Sequence, residues 1–152
     1  MKIEHFLTFL TIIVGILVVF MAYRQFVLAN EKLKLDLFEK RFAIYTGVES
    51  FLTYIIGGES ATHETITFER LHKFWYETRY APFLYDNDIL IYLEEINKKA
   101  AKLQIIEQQM QSNPQDYTNL FDEKSVINEW FLNQLSRLKD IFSPYLKFKT
   151  WK

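Results

Sequence analysis

The chain contains no cysteine. Disulfides, thiolate metal sites and cysteine nucleophiles are therefore excluded, and the absence suits a cytoplasmic domain. Glycine and proline are scarce, with four and three copies among 152 residues. So few turn formers favour long helices over a many-stranded sheet. No excess of one charge is present either, since 18 Lys and Arg face 19 Asp and Glu. Such a balance leaves no electrostatic footprint for nucleic acid, and none is expected as a partner. The sequence has no Gly-rich phosphate loop and no Gly-x-Ser-x-Gly elbow.

Histidine is rare as well, with three copies. His63-Glu64 opens no His-Glu-x-x-His zinc motif, because residue 67 is Thr. Glu69-Arg-Leu-His72 has the Glu-x-x-His spacing of a di-metal bundle, but such a site needs that pair twice with two further carboxylates. Only Glu69, His72 and Glu77 form a cluster worth mutating in search of an enzyme. The reading is that the chain is not an enzyme and takes no metal or other cofactor.

What is present begins with Phe6 to Tyr23, an uncharged apolar run of eighteen residues. As a helix it spans about 27 Å, close to the ~30 Å hydrocarbon core of a bilayer. The run reads as one membrane-spanning helix with the lipid bilayer as its first partner. Arg24, Lys32, Lys34, Lys40 and Arg41 follow it, against Lys2 before it. The positive-inside rule then puts the N-terminus outside and the rest of the chain in the cytoplasm. The rival reading is a signal peptide cleaved near Val27-Leu28-Ala29. The long apolar run, the nearly uncharged start and Arg24 all disfavour it. Thr8, Thr11, Gly15 and Ala22 share one helical face, where small residues allow close helix approach and a homo-oligomer. The plain alternative is that small residues are common in such helices.

Beyond residue 29 about 120 residues remain, enough for one domain with a core. From Asn30 two adjacent apolar seams run along one long helix. Leu33, Leu37, Ile44, Val48, Phe51 and Ile55 form the first; Leu35, Phe38, Phe42, Tyr45, Leu52 and Ile56 form the second. Gly57-Gly58-Glu-Ser-Ala-Thr reads as a loop. A short helix over 67–80 should bury Phe68, Leu71, Phe74 and Trp75, with Glu69–Lys73 as an i,i+4 pair. Its Arg and aromatic residues also fit a recognition surface. Pro82 ends it, and Asp86 or Asp88 can cap a helix over 88–111. That helix turns Ile89, Leu93, Ile96, Ala100, Leu103, Ile106 and Met110 inward. Ser112-Asn113-Pro114 breaks it. A last helix over 121–142 buries Ile127, Trp130, Phe131, Leu135, Leu138 and Phe142, and Ser143-Pro144 ends it.

The expected fold is all-α, one N-terminal transmembrane helix continuing into an antiparallel four-helix bundle. Its parts are a stub and transmembrane helix over 1–29, a cytoplasmic bundle over 30–146 and a basic aromatic tail over 147–152. Antiparallel order should bring the C-terminus back near the membrane. There Tyr145, Lys147, Phe148, Lys149, Trp151 and Lys152 mix aromatic and basic side chains as a bilayer interface does. Equally, Tyr145 and Leu146 can finish the core while the lysines are solvated. Arg24, Lys32 and Lys34 are the interface residues expected on the other side of the bundle sequence.

Lys32-Leu-Lys-Leu-Asp-Leu-Phe-Glu-Lys-Arg-Phe-Ala-Ile-Tyr resembles the juxtamembrane stretch of an uncharacterised family of small bacterial single-pass membrane proteins with a helical cytoplasmic domain. Phe83-Leu-Tyr-Asp-Asn-Asp-Ile and Ile141-Phe-Ser-Pro-Tyr-Leu-Lys-Phe resemble that family's middle and end. The matching pieces cover about a fifth of the chain. The resemblance implies a bacterial origin, hence the inner membrane, and an anchor followed by helices. It carries over no functional residue. The function expected is a membrane-anchored helical module that binds a protein partner of unspecified identity or oligomerises. The alternatives are a toxin-like effector that perturbs the bilayer and an enzyme of unrecognised type.

Overall fold

The structure, a computed structural model, describes residues 2–57, 66–112 and 117–147. Most of the glycine loop (58–62), His63, Glu64, Asn113-Pro114, Phe148, Lys149 and Trp151 lie outside the described residues. The fold is all-α. Helix α1 spans Lys2–Gly57, α2 Phe68–Thr78, α3 Asn87–Ser112 and α4 Tyr117–Leu146, with a 3-10 turn at Ala81–Phe83. No strand occurs among the described residues. The chain divides into two compact units, with the boundary between Leu37 and Phe38 inside α1.

The N-terminal unit is a stretch of helix without proline. Every large apolar side chain from Phe6 to Tyr23 is exposed, the least so being Ile13 at 38%. Leu33 and Leu35, expected at the start of the two seams, are exposed as well. Among the seam residues, burial begins only within the second unit. There Ile44, Val48, Phe51 and Leu52 are buried, while Phe42 stays exposed.

The second unit is an antiparallel bundle. Phe51 stacks on Phe74 with centroids 4.3 Å apart, and Arg70 lies 4.4 Å over Tyr54, so α2 runs back along α1. Gly47 is the close approach in this pair. A Cβ there would lie 3.1 Å from Glu77 Oε2 and 3.3 Å from Glu77 Cβ. Glu77 thus lies against the α1 backbone, and Lys73 pairs with it at 3.7 Å. This replaces the expected Glu69–Lys73 pair, because the carboxylate resting on α1 is the one held near the lysine.

Helices α3 and α4 also run antiparallel. The Lys102–Glu123 and Lys124–Glu107 pairs join the end of α3 to the start of α4, and Tyr92 meets Phe142 near the opposite ends. Their facing stripes are Ile89, Tyr92, Leu93, Ile96, Ala100, Leu103 and Ile106 against Ile127, Phe131, Gln134, Leu138 and Phe142, all buried. Burying large aliphatic or aromatic side chains stabilises by about 1.5–3 kcal/mol each, so this seam is the energetic centre of the unit. Met110, Trp130 and Leu135 pack on its edge, half-buried. Helix α4 does not stop at Ser143-Pro144 as expected; it runs to Leu146 with Pro144 inside. Proline removes one backbone donor, and so near the helix end little of the ladder remains to be broken.

Two polar junctions fasten the bundle ends. At one, Glu107 Oε2 accepts the Ile66 N–H at 2.8 Å while Oε1 receives Lys124 Nζ at 2.6 Å. At the other, Arg41 Nε donates to the Leu84 carbonyl at 2.9 Å and Nη1 to the Tyr145 carbonyl at 3.3 Å. Tyr85 Oη donates back to the Arg41 carbonyl at 2.7 Å. Tyr45, Tyr85 and Tyr92 all meet Phe142 edge-on, at 5.7, 5.3 and 6.4 Å. Aromatic edges and faces carry opposite partial charge, which favours these angles.

Candidate functional site

Helix α2 starts where Thr67 caps it, its hydroxyl accepting the Arg70 N–H at 3.3 Å. The sequence suggests Phe68, Leu71, Phe74 and Trp75 as its inner side. Of these the structure buries Phe74 and half-buries Leu71, and it buries Thr78 as well. Thr78 tolerates burial because its hydroxyl donates to the Phe74 carbonyl at 2.8 Å. Phe68 and Trp75 point outward, 74% and 58% exposed. Phe68 and Trp75 lie about 120° and 100° around the helix from Phe74. Only the sector through Phe74 meets α1 and α3.

The outward sector is continuous. His72 lies 6.4 Å from the ring of Phe68 and 6.0 Å from that of Trp75, so three rings step along one face. Tyr76 and Arg79 fall on the same sector at 100° per residue. The Arg79 guanidinium sits 3.7 Å over Tyr76 and 4.5 Å over Tyr80, and Nη2 donates to Tyr80 Oη at 2.9 Å. Its Nε is buried with no hydrogen-bond partner among the described residues. Phe83, in the 3-10 turn, is 83% exposed. Pro82 fixes that turn, which swings the chain from α2 into α3.

Between this surface and α3 lies a groove of about 370 Å³. Phe74, Trp75, Ala81, Pro82, Leu90 and Leu93 give it apolar walls, and Thr78, Arg79, Glu94 and Asn97 bring polar atoms. Glu94 is already paired with Lys98 at 2.7 Å. Among the described residues, Arg79 is in no ion pair. The arrangement offers stacking, apolar burial and one oriented cation. Glu69 and His72 are exposed, and no three metal-binding side chains cluster among the described residues.

Two buried phenols mark the core rather than this surface. Burial pushes the Tyr92 hydroxyl up to about 12, against a lowering from Arg137. Burial also raises Tyr85, which Arg41 partly offsets.

In the N-terminal unit, α1 is long and apolar enough to cross a membrane, and none of its apolar window is buried. Thr8, Thr11, Gly15 and Ala22 are exposed on one sector, and a Cβ at Gly15 would meet open space. The Thr11 hydroxyl donates to the Leu7 carbonyl at 2.9 Å, so its proton is used within the helix and only its acceptor capacity faces out. Arg24, Lys32 and Lys34 are exposed, as is Lys147 in the second unit.

Sequence reasoning missed the Arg79 sandwich, Phe83 and the groove. The signals available were Tyr residues three before and one after Arg79, and a proline turn directly behind them. No family model, curated protein or solved structure matches the chain.

Proposed function

We propose that this protein is a non-enzymatic, membrane-anchored module that presents a helical bundle for protein interaction at the cytoplasmic face of a bacterial inner membrane. The observation that carries the interaction reading is the outward aromatic and arginine sector of α2, extended by Tyr80 and Phe83. Aromatic and Arg side chains dominate binding energy at protein interfaces, and contiguous exposed apolar surface is uncommon on isolated domains.

The anchor reading is supported by the exposure of the apolar run. A helix that served as a soluble core would be covered by the rest of the fold. Leaving about fourteen large apolar side chains in water instead of a nonpolar medium would cost on the order of 20 kcal/mol or more. The excess of Lys and Arg after the run supports a cytoplasmic second unit. The small-residue sector through Gly15 supports self-association within the membrane.

The test is photo-crosslinking in cells from residue 75 or 83, with residue 126 on α4 as an exposed control. Specific protein adducts from the first two and not from the third are expected. Adducts absent from both would remove the α2 surface as an interaction site. Because the chain has no cysteine, single-cysteine variants report topology without a background. Ser136→Cys should label only after permeabilisation, and loss of residues 1–29 from the mature protein would refute the anchor.

A further inference from the structure

Arg79 is the singular feature of the α2 surface. A guanidinium stacked on two tyrosines is restrained in plane and direction before any partner arrives. It carries a charge that no carboxylate among the described residues balances, and its buried Nε lacks an acceptor. The other charge lining the same groove, Glu94, is balanced by Lys98. Complementarity therefore calls for an anion beside apolar groups. The lining fixes the apolar part: Trp75, Pro82 and Leu90 present exposed or half-buried apolar surface to a groove of about 370 Å³. Exposed Trp75, Tyr80 and Phe83 extend the contact beyond what a small acid would cover.

Resting on the interaction reading above, we infer that the groove between α2 and α3 receives a segment of a partner protein that seats large apolar side chains in it and lays an Asp or Glu carboxylate on Arg79. An amphipathic helix meets these demands with apolar anchors one turn apart and an acidic residue beside them. The carboxylate accepts hydrogen bonds from a guanidinium already oriented by stacking, so little further side-chain order is lost on binding.

The test uses the full chain held in nanodiscs and a displayed random-peptide library. The Leu90→Trp protein, with its groove filled, serves for counter-selection, and circular dichroism checks that each variant is folded. Recovered peptides should carry Asp or Glu within one helical turn of Leu, Phe or Trp. Arg79→Gln should weaken them at least about tenfold, the loss of a charged hydrogen bond. Arg79→Lys should recover only part of that, having the charge without the planar fork. Glu69→Gln, elsewhere on α2, should leave binding unchanged. Peptides without acidic enrichment, binding that survives Arg79→Gln, or a selection that yields nothing beyond the Leu90→Trp control would each overturn the inference. Crosslinks from residue 83 that persist in Arg79→Gln would do so too, while leaving the interaction reading standing.

Discussion

Removing the carboxylate of Glu107 should loosen two junctions at once. One oxygen holds the Ile66 N–H just ahead of α2, and the other holds Lys124 on α4. The Glu107 side chain is 12% exposed and that of Lys124 32% exposed. In Glu107→Ala the buried Ile66 donor loses a charged acceptor, which costs about 1.5–3 kcal/mol. The ion pair adds only about 0.5–1 kcal/mol, because the lysine end is screened by water. The expected loss is roughly 2–4 kcal/mol, or roughly 8–16 °C in midpoint for a unit of this size. Glu107→Gln is the informative partner variant. Its amide oxygen still accepts from Ile66, so only the charge is lost and the cost falls to about 1 kcal/mol. Urea unfolding of the full chain in micelles, followed by tryptophan fluorescence, measures both; Trp130 lies where α3 meets α4, 5.0 Å from Lys99 Nζ. Equal losses in the two variants, or an alanine variant within about 0.5 kcal/mol of the parent, would refute the assignment of the main term to the Ile66 N–H.

Four further outcomes are expected. Arg41→Ala should destabilise the second unit by about 2–3 kcal/mol, and Arg41→Lys should rescue less than half, since lysine cannot reach two carbonyls in one plane; chemical denaturation of both variants decides. Tyr92 Oη is buried with no hydrogen-bond partner among the described residues, so Tyr92→Phe should leave the midpoint unchanged or raise it by a few degrees. In the unfolded chain a tyrosine ionises near 10, whereas folded Tyr92 holds its proton to about 12. Stability should therefore be complete below the lower value and fall as pH rises between the two, and Tyr92→Phe should flatten that fall. Gly15→Leu should reduce crosslinking between copies in the membrane while leaving insertion intact, and unchanged crosslinking would dismiss the small-residue sector as an interface.

Much of the bundle was legible because its longest stripes are regular. Ile89, Leu93, Ile96, Ala100, Leu103 and Ile106 recur at helical spacing without interruption, and the structure buries all six. Tyr92 escaped notice because a phenol signals either surface or core, and only the packing of Phe142 chose between them. Helix α2 was legible as a helix but not in its facing. Phe68, Leu71, Phe74 and Trp75 share one arc of about 120°, of which only the Leu71–Phe74 side turns inward, and Thr78 is silenced by a bond to its own backbone. Which sector turned inward was set by α1, where Gly47 admits Glu77 and Phe51 meets Phe74. The surface that emerged, with Phe68, His72 and Trp75 outward, is a product of tertiary contacts that local periodicity does not encode.

The junction at Arg41 also has a consequence in time. Its partner Tyr145 lies 104 positions further along the chain. At ~5–20 residues per second, synthesis of that interval takes roughly 5–20 s. For nearly all of that period Tyr45 has emerged, but Phe142, whose ring meets it at 5.7 Å, has not. The nascent unit thus passes through a stage of uncovered apolar surface, closed only as the final helix arrives. A chain interrupted before Phe142 would remain in that stage, a natural substrate for chaperones and proteases.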